Sequence, residues 1–422
     1  MKKLMTILAA IMLVGLVVPA FSAVENVKVG GDIVVKGIYR NNFDFTKKIG
    51  ANGDGESYLY TGARVYVSAE LSDNVSALVR FINERDWSFT GRSIDIDLAY
   101  VKVSDLVVPG LNLTVGRQEI QIGDGLVVGS LYNAANAAAG SRYYDYGLQK
   151  AFDAIKVDYA FTAAPVTVTA FKAKISELYN MPQDSDLYGL DVPIKAENVA
   201  VNPYYVRYIS QNGKATLDTA GIRATWNPME ALALSGEYAK QFGSNKAAAG
   251  NPDYQGWALV LGASYKFDTN MAPVISAMYA DFSGQKATST DVKQWVPVFP
   301  SNIASRVGKI AYPALFSDGE GAFDIGGGSG VRVLKLGLGL QPAEKIGLSL
   351  DWFNLTAKET PAGVKDSVGN EIDLGMTYQY SEDLSFGLDL GYFITGKYIE
   401  NTVGNTNDKN AWQAIATMRV AF

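Results

Sequence analysis

Charged side chains in this 422-residue chain recur at every second position of short segments in which apolar and polar residues alternate. In segment 384–392, the even positions hold large apolar residues and the odd positions hold Ser, Gly and Asp389. A period of two is that of a β-strand, so the charges share one face. That face cannot meet lipid, because an Arg or Lys near the bilayer midplane costs ~2–4 kcal/mol. The pattern therefore predicts charged groups that line an aqueous interior.

Counting the alternation along each segment predicts which charges point inward. The candidates for lining a pore are Arg64, Arg80, Arg117, Lys150, Lys156, Lys172, Lys174, Arg207, Arg223, Asp95, Asp97, Asp158, Asp191, Asp351 and Asp389. Further inward charges are Lys28, Lys36, Lys266, Lys335, Arg419, Asp32, Glu70, Glu84, Glu237 and Asp373. The signs are nearly balanced, with a basic wall on the sixth to tenth strands and an acidic wall on the fifteenth to seventeenth. Opposed walls would orient water and admit small polar solutes; alternatively, the charges pair across strands and only brace the wall.

The composition argues against several other kinds of chemistry. The chain has no His and no Cys, which removes the commonest general base and metal ligand as well as thiol chemistry. We therefore expect no catalytic residues, no metal site and no cofactor. A net charge of −6 argues against nucleic acid as a partner. Segment 52–56 is rich in oxygen ligands but lacks the length and closing Glu of a calcium loop, so we expect a solvated turn there and keep outer-loop calcium as an alternative.

The elements that carry these charges are eighteen predicted strands. They lie near 27–40, 57–71, 75–86, 93–103, 111–121, 151–161, 166–176, 186–195, 199–209, 216–226, 231–241, 255–267, 272–282, 331–341, 345–356, 370–380, 383–395 and 412–422. Even-numbered strands end in compact turns such as 72–74 and 381–383, whereas several odd-numbered strands end in long loops. Short periplasmic turns and long outer loops typify bacterial outer-membrane barrels. The predicted fold class is all-β, an 18-stranded antiparallel transmembrane β-barrel. A soluble β-sandwich or propeller is the alternative, but we find no internal repeat.

The two ends of the chain complete this prediction. Residues 1–23 have the basic start, apolar run and small-residue exit of a signal peptide, with cleavage after Ala20, Ser22 or Ala23. We expect a single barrel domain over 24–422. An antiparallel seam between 413–422 and 27–40 would close it, with Phe422 at the periplasmic rim and Trp412 near the outer girdle. The expected partners are outer-membrane lipid and lipopolysaccharide, small polar solutes, and the barrel-assembly machinery through the strand that ends at Phe422.

Two long loops are candidates for narrowing the pore. Segment 130–140 within loop 122–150 is rich in small residues and too apolar for a wholly solvated loop. Loop 283–330 carries Trp295, Phe299, Tyr312 and Phe316. This second loop is predicted to form either an extracellular lid of packed aromatics or an inserted plug.

Several segments resemble the alginate-export family of outer-membrane porins. These are 116–124 (GRQEIQIGD), 150–157 (KAFDAIKV), 186–190 (DLYGL) with 202–206 (NPYYV), and the long stretch 295–317. The resemblance runs from about Arg80 to Phe422 and implies eighteen strands. Strict alternation from Leu111 turns Arg117 and Glu119 toward lipid, unless a bulge shifts the phase or the strand has left the membrane, whereas the resemblance implies a pore-facing Arg117. The family usually has Arg where this chain has Lys150-Ala151, and alginate exporters have strongly cationic lumens.

The sequence therefore predicts a porin in the outer membrane of a Gram-negative bacterium. It would pass small polar or acidic solutes, such as sugars and organic acids, through a charged lumen. Two alternatives remain at this stage. One is an exporter of an anionic polysaccharide such as alginate, and the other is a non-transporting barrel with a structural or adhesive role.

Overall fold

The structure is a computed structural model that describes residues 25–43, 45, 55–87, 94–130, 147–177, 184–211, 214–246, 248, 250–286, 288–315, 328–402 and 410–422. The predicted signal peptide, positions 52–54 of the oxygen-rich segment, residues 131–146 of the first long loop and Phe316 lie outside the described residues.

The described residues form nineteen strand segments in one antiparallel sheet. They are β1 Glu25–Asn41, β2 Gly55–Ser72, β3 Val75–Asp86, β4 Asp95–Val103, β5 Leu111–Gln118, β6 Phe152–Ala160, β7 Thr167–Ser176, β8 Ser185–Asp191, β9 Ile194–Lys195, β10 Val199–Ser210, β11 Ala215–Met229, β12 Leu232–Asn245, β13 Trp257–Lys266, β14 Val274–Phe282, β15 Val331–Ala343, β16 Ile346–Ala357, β17 Ser367–Gln379, β18 Leu384–Thr395 and β19 Ala411–Ala421. Segments β8 and β9 both pair with β10, so they occupy one position between β7 and β10. Pro193 lies between them and has no N–H to donate to a ladder. The barrel therefore has the eighteen strand positions that the sequence predicts.

The barrel closes between its first and last strands. β1 pairs with β2 on one side and with β19 on the other, in a register that runs from Asp32 opposite Ala421 to Asn41 opposite Trp412. The ladder continues to Phe422, whose N–H and carbonyl bond Gly31 at 3.0 and 2.8 Å. The rings of Tyr39 and Trp412 stack with centroids 4.6 Å apart. The predicted seam is confirmed, and it leaves no open edge.

The connections distinguish the two ends of the barrel. At one end the turns cover only 73–74, 104–110, 161–166, 196–198, 230–231, 267–273, 344–345 and 380–383. The opposite end, which we call the outer end, carries the long connections 119–151 and 283–330. The predicted alternation of short turns and long loops is confirmed. It shows which terminus of each strand lies at the outer end of the barrel.

Large apolar side chains form the outer surface of the barrel wall. On β18, Phe386, Leu388 and Leu390 are exposed, whereas Phe393 on the opposite face is buried. Exposed ring pairs such as Tyr265 with Phe267 lie near the short turns, and the Tyr39–Trp412 stack lies near the outer end. An apolar band between two aromatic girdles is the surface that a bilayer requires of a barrel.

Three short helices lie in the outer loops of the described chain. They are α1 Ile303–Val307, α2 Ala311–Leu315 and α3 Lys397–Thr402. Among the described residues, no helix has the length and apolar character needed to cross a membrane. The main hydrophobic core lies inside the outer half of the barrel, where loop residues pack on inward side chains of β6 to β19.

Candidate pore and its inserted loops

Two loop segments fold back into the barrel from its outer end. Residues 119–130 follow β5, and residues 294–315 carry α1 and α2 between β14 and β15. The ring of Phe299 makes edge contacts with Phe152 on β6 and Tyr208 on β10, with centroids 5.8 and 5.7 Å apart. Trp295 is buried as well. The described part of loop 283–330 is therefore inserted rather than folded over the barrel as a lid. We call segments 119–130 and 294–315 together the plug.

The two segments of the plug bond to each other. The N–H of Phe299 donates to the carbonyl of Val127 at 2.9 Å, and the N–H of Ser301 donates to Gly125 at 2.8 Å. The buried guanidinium of Arg306 donates to the carbonyls of Ser301 and Asp124 at 2.7 and 2.8 Å. Burial lowers the pKa of Arg306, whereas the nearby Glu237 and Asp124 carboxylates oppose the shift. The plug is thus a single hydrogen-bonded unit.

Inward polar side chains of the wall anchor this unit. Gln241 on β12 donates to the Val296 carbonyl at 2.6 Å and accepts the Val296 N–H at 3.0 Å. The Glu371 carboxylate on β17 accepts the N–H groups of Ile310 and Ala311 at 2.6 and 2.8 Å. Glu371 is fully buried. Because a buried N–H left without an acceptor costs ~1–3 kcal/mol, these two bonds make Glu371 a principal anchor.

Three ion pairs join the plug to the wall where water still reaches the side chains. Glu119 contacts Arg80 at 2.7 Å, Asp124 contacts Arg223 at 2.8 Å, and Lys309 contacts Asp389. The plug carboxylates Glu119 and Asp124 each leave half or more of their side chains exposed. We call these contacts the plug–wall pairs. They place both signs of charge along the boundary that a passing solute would meet.

A cluster of charged residues lies on the inner face of β19 and β1 to β4. Arg64 holds Asp32 through two bonds of 2.7 and 2.9 Å, and Arg419 lies 3.6 Å from the same carboxylate. Arg80 bonds the buried Asp97 at 2.5 Å. Paired in this way, the carboxylates fix the directions of the guanidinium groups.

Several other predicted residues also lie on the inner face. Lys156 contacts Asp158 at 3.2 Å, and Lys335 contacts Asp351 at 3.1 Å. Asp191 faces Thr169 and Tyr204 across its ladders. The predicted pore-lining residues that the register places inward are Arg64, Arg80, Lys156, Arg223, Asp97, Asp158, Asp191, Asp351 and Asp389. Two others lie at the outer end: Asp95 is opposite Ile82 at the start of β4, and Lys150 is exposed just before β6.

Four predicted pore-lining residues lie on the outer face instead. Arg117 sits opposite Ala99 and Asp153, and its guanidinium contacts Asp153 at 3.1 Å. Lys172 sits opposite the exposed Ile155, and Lys174 sits opposite Asp153. Arg207 lies opposite Tyr188 and Asp218. The inward orientation predicted for Arg117, Lys172, Lys174 and Arg207 is therefore wrong, and the predicted basic wall on strands six to ten does not form.

The plug explains the error on these strands. Next to it, the inward positions must be apolar, so Phe171, Ala173, Leu187 and Val206 are buried against it or beside it. Charged residues then take the alternate positions, which face outward above the apolar band. The usual rule of polar inside and apolar outside is thus inverted on the outer parts of β7 and β10, whereas other strands keep polar anchors such as Gln241 and Glu371 on the inner face. For Arg117, strict alternation along β5 gives the correct side and the resemblance does not.

Sequence reasoning missed several groups of this site. Glu119 turns inside to meet Arg80 because β5 ends at Gln118, before the alternation would carry it toward lipid. Glu371 was not singled out, although it shares a face with Asp373, which was. Arg306 and Lys309 give no periodic signal, because Arg306 lies on the short helix α1 and Lys309 lies in the turn between α1 and α2.

The fold is that of an outer-membrane porin barrel. Solved structures with similar folds include three from Pseudomonas aeruginosa. OccK5 (OpdH) is 14% identical with a TM-score of 0.60, covering 94% of this chain and 99% of that chain. The outer membrane protein OprD is 13% identical with a TM-score of 0.57, covering 95% of this chain and 96% of that chain. OccK2 (OpdF), solved in complex with glucuronate, is 11% identical with a TM-score of 0.57, covering 94% of this chain and 98% of that chain.

The family described as alginate export matches residues 27–413, and the chain belongs to that family. Among curated proteins, none matches the sequence.

Proposed function

We propose that this protein is a passive outer-membrane channel for small acidic and polar solutes, such as uronic acids, other organic acids and sugars. The plug–wall pairs carry the proposal. They set water-accessible cations and carboxylates side by side along the boundary of a hydrogen-bonded plug. A solute carboxylate can exchange with Glu119 or Asp124 for the guanidinium groups of Arg80 and Arg223, because both plug carboxylates are at least half exposed and water already competes for these contacts. OccK2, which has a similar fold, was crystallised with the small acid glucuronate.

Processing and assembly follow from this proposal. Residues 1–23 would be removed as a signal peptide, leaving 24–422 as a single barrel domain. The strand that ends at Phe422 would be recognised by the barrel-assembly machinery. The channel would act without catalysis, metal or cofactor.

Export of an anionic polysaccharide is the second candidate, favoured by the family match over residues 27–413. The anchored plug argues against it, since a polymer would need a wide, continuous path. A barrel with only a structural or adhesive role is the remaining alternative.

Planar-bilayer recording of the purified barrel separates these functions. A channel for small solutes should show stable conductance steps that glucuronate reduces and that uronate oligomers reduce less. Stronger block by the oligomers would favour polysaccharide export. If the wild-type barrel is silent but Glu371→Ala, which removes the plug anchor, conducts, the plug closes the channel. Silence of both proteins would refute transport.

A further inference from the structure

Three cations stand on the outer surface of the barrel near its outer end. Lys172 and Lys174 lie on β7 and Arg207 lies on β10, and we call them the outer cation row. Lys172 and Arg207 are both opposite Tyr188, which lies between them on β8. Adjacent strands are ~4.8 Å apart, so the two side chains start ~10 Å from each other. Flexible side chains at that spacing can reach one shared anion.

For Lys172 and Arg207 the cation, and not its carboxylate partner, forms the exposed surface, whereas Lys174 and its partner Asp184 are equally exposed. Arg207 is 46% exposed whereas Asp218 is 5% exposed, and Lys172 is 51% exposed whereas Asp186 is 12% exposed. The hydroxyl of Tyr205 donates to Asp218 at 2.5 Å from the other side. The carboxylates therefore hold the cations in position from beneath. The group presented outward is positive even though the formal charges balance.

The position of the outer cation row along its strands indicates which part of the surrounding lipid it contacts. Along β7 the outward positions change from Val168 and Ala170 to Lys172 and Lys174 as the strand approaches its outer end. The side chains below this change match the acyl chains of a bilayer. Those above it lie at the level of lipid headgroups, where amphipathic rings such as Tyr188 are also favoured. The Lys172 ammonium lies 5.3 Å from the centroid of that ring.

We propose that the outer cation row binds a phosphate of a phosphorylated glycolipid in the outer leaflet, with lipid A as the minimal ligand. Guanidinium and ammonium groups are the side chains that recognise phosphate oxygens. The acyl chains of the lipid would lie along the apolar surface below, formed by Ala170, Val157 and Leu190. This inference rests on the outer face alone and holds whatever the lumen conducts.

Native mass spectrometry of the full barrel in detergent tests the proposal. Diphosphoryl lipid A should bind the wild-type protein more tightly than its dephosphorylated analogue, and inorganic phosphate at the same concentration should not bind. Lys172→Gln with Lys174→Gln should weaken diphosphoryl lipid A binding about 30-fold, since each cation near a lipid surface contributes about a factor of five. The matched control is Lys246→Gln with Lys293→Gln, which removes the same charge from exposed outer loops and should leave binding unchanged.

Other variants keep the test decisive if the double substitution fails to fold. Lys172→Gln alone, at a half-exposed side chain, should weaken binding about five-fold, and Arg207→Lys should retain binding. Heat-modifiable migration on a gel reports folding in each case. Equal binding of the phosphorylated and dephosphorylated lipids would overturn the proposal. Equal affinity of the row variants and the loop control, or binding of inorganic phosphate alone, would also overturn it.

Discussion

Removing the Glu371 carboxylate should release the plug and enlarge the channel. Glu371→Ala leaves the N–H groups of Ile310 and Ala311, which Glu371 accepts at 2.6 and 2.8 Å, without a partner in a buried site. Each unsatisfied buried donor costs ~1–3 kcal/mol, which gives ~2–6 kcal/mol for the pair. Since ~1.4 kcal/mol corresponds to a factor of ten in an equilibrium constant, the fraction of barrels with a detached plug should rise ~30-fold to ~10⁴-fold. Because the strand ladders are untouched, the barrel itself should remain folded.

Single-channel recording in planar bilayers is the assay. Glu371→Ala should give a larger and noisier conductance than the wild type, and Glu371→Gln, which keeps one acceptor, should lie between them. Glu344→Ala in the turn 344–345 removes the same group far from the plug and serves as the control. A further substitution of Gln241, the second anchor, should add to the effect. Wild-type conductance and noise in Glu371→Ala would refute the idea that the plug restricts the path.

Two other predictions concern selectivity and closure. Arg223→Gln with Arg419→Gln removes two inward cations and should lower the anion-to-cation permeability ratio about 30-fold at low salt. A charge ~8 Å from a passing ion in water contributes ~0.5 kcal/mol, with opposite signs for an anion and a cation, so the two substitutions together change the ratio by ~2 kcal/mol. Reversal potentials in a salt gradient measure this ratio, and an unchanged ratio places both arginines away from the constriction. The outward pair Lys172→Gln with Lys174→Gln should leave the ratio unaltered, and salt at 1 M should weaken the effect because the Debye length falls to ~3 Å. Deleting Phe422, or replacing it with Asp, should impair barrel insertion, because the Phe422–Gly31 bonds end the seam and an acid would take the place of the apolar anchor at the rim. Normal yield and normal heat-modifiability of the Phe422 deletion would contradict the role given to the terminal strand.

The fold could be predicted from the sequence because its signals are local. Alternation over eight to twelve residues defines a strand, and Asn, Asp and Pro mark the turns between strands. The seam between β1 and β19 followed from a physical requirement, since an open edge in lipid leaves backbone groups unpaired. A single additional break, at Pro193, separated β8 from β9 without changing the number of strand positions.

The candidate site was predicted only in part, because its plug is held by contacts distant in sequence. Ile310 and Glu371 are 61 residues apart, and Asp124 and Arg306 are 182 residues apart. Alternation along a strand cannot report such contacts. It placed Arg64, Arg80 and Asp97 correctly, on strands where charged residues face the lumen. It failed for Lys172, Lys174 and Arg207, which lie beside the plug.

One physical cause connects the plug with the outer cation row. Apolar residues of the plug require apolar partners on the inner face of β7 and β10, as Ala173 and Val206 show. Because successive side chains alternate between faces, the charged residues on these strands must then face outward. They can do so only above the hydrocarbon region, where headgroups and water meet their charge. Ala173 faces inward against the plug, and the next residue, Lys174, faces outward at the headgroup level. A strand on which apolar residues turn inward and charged residues turn outward near the outer end therefore indicates that the lumen is filled there.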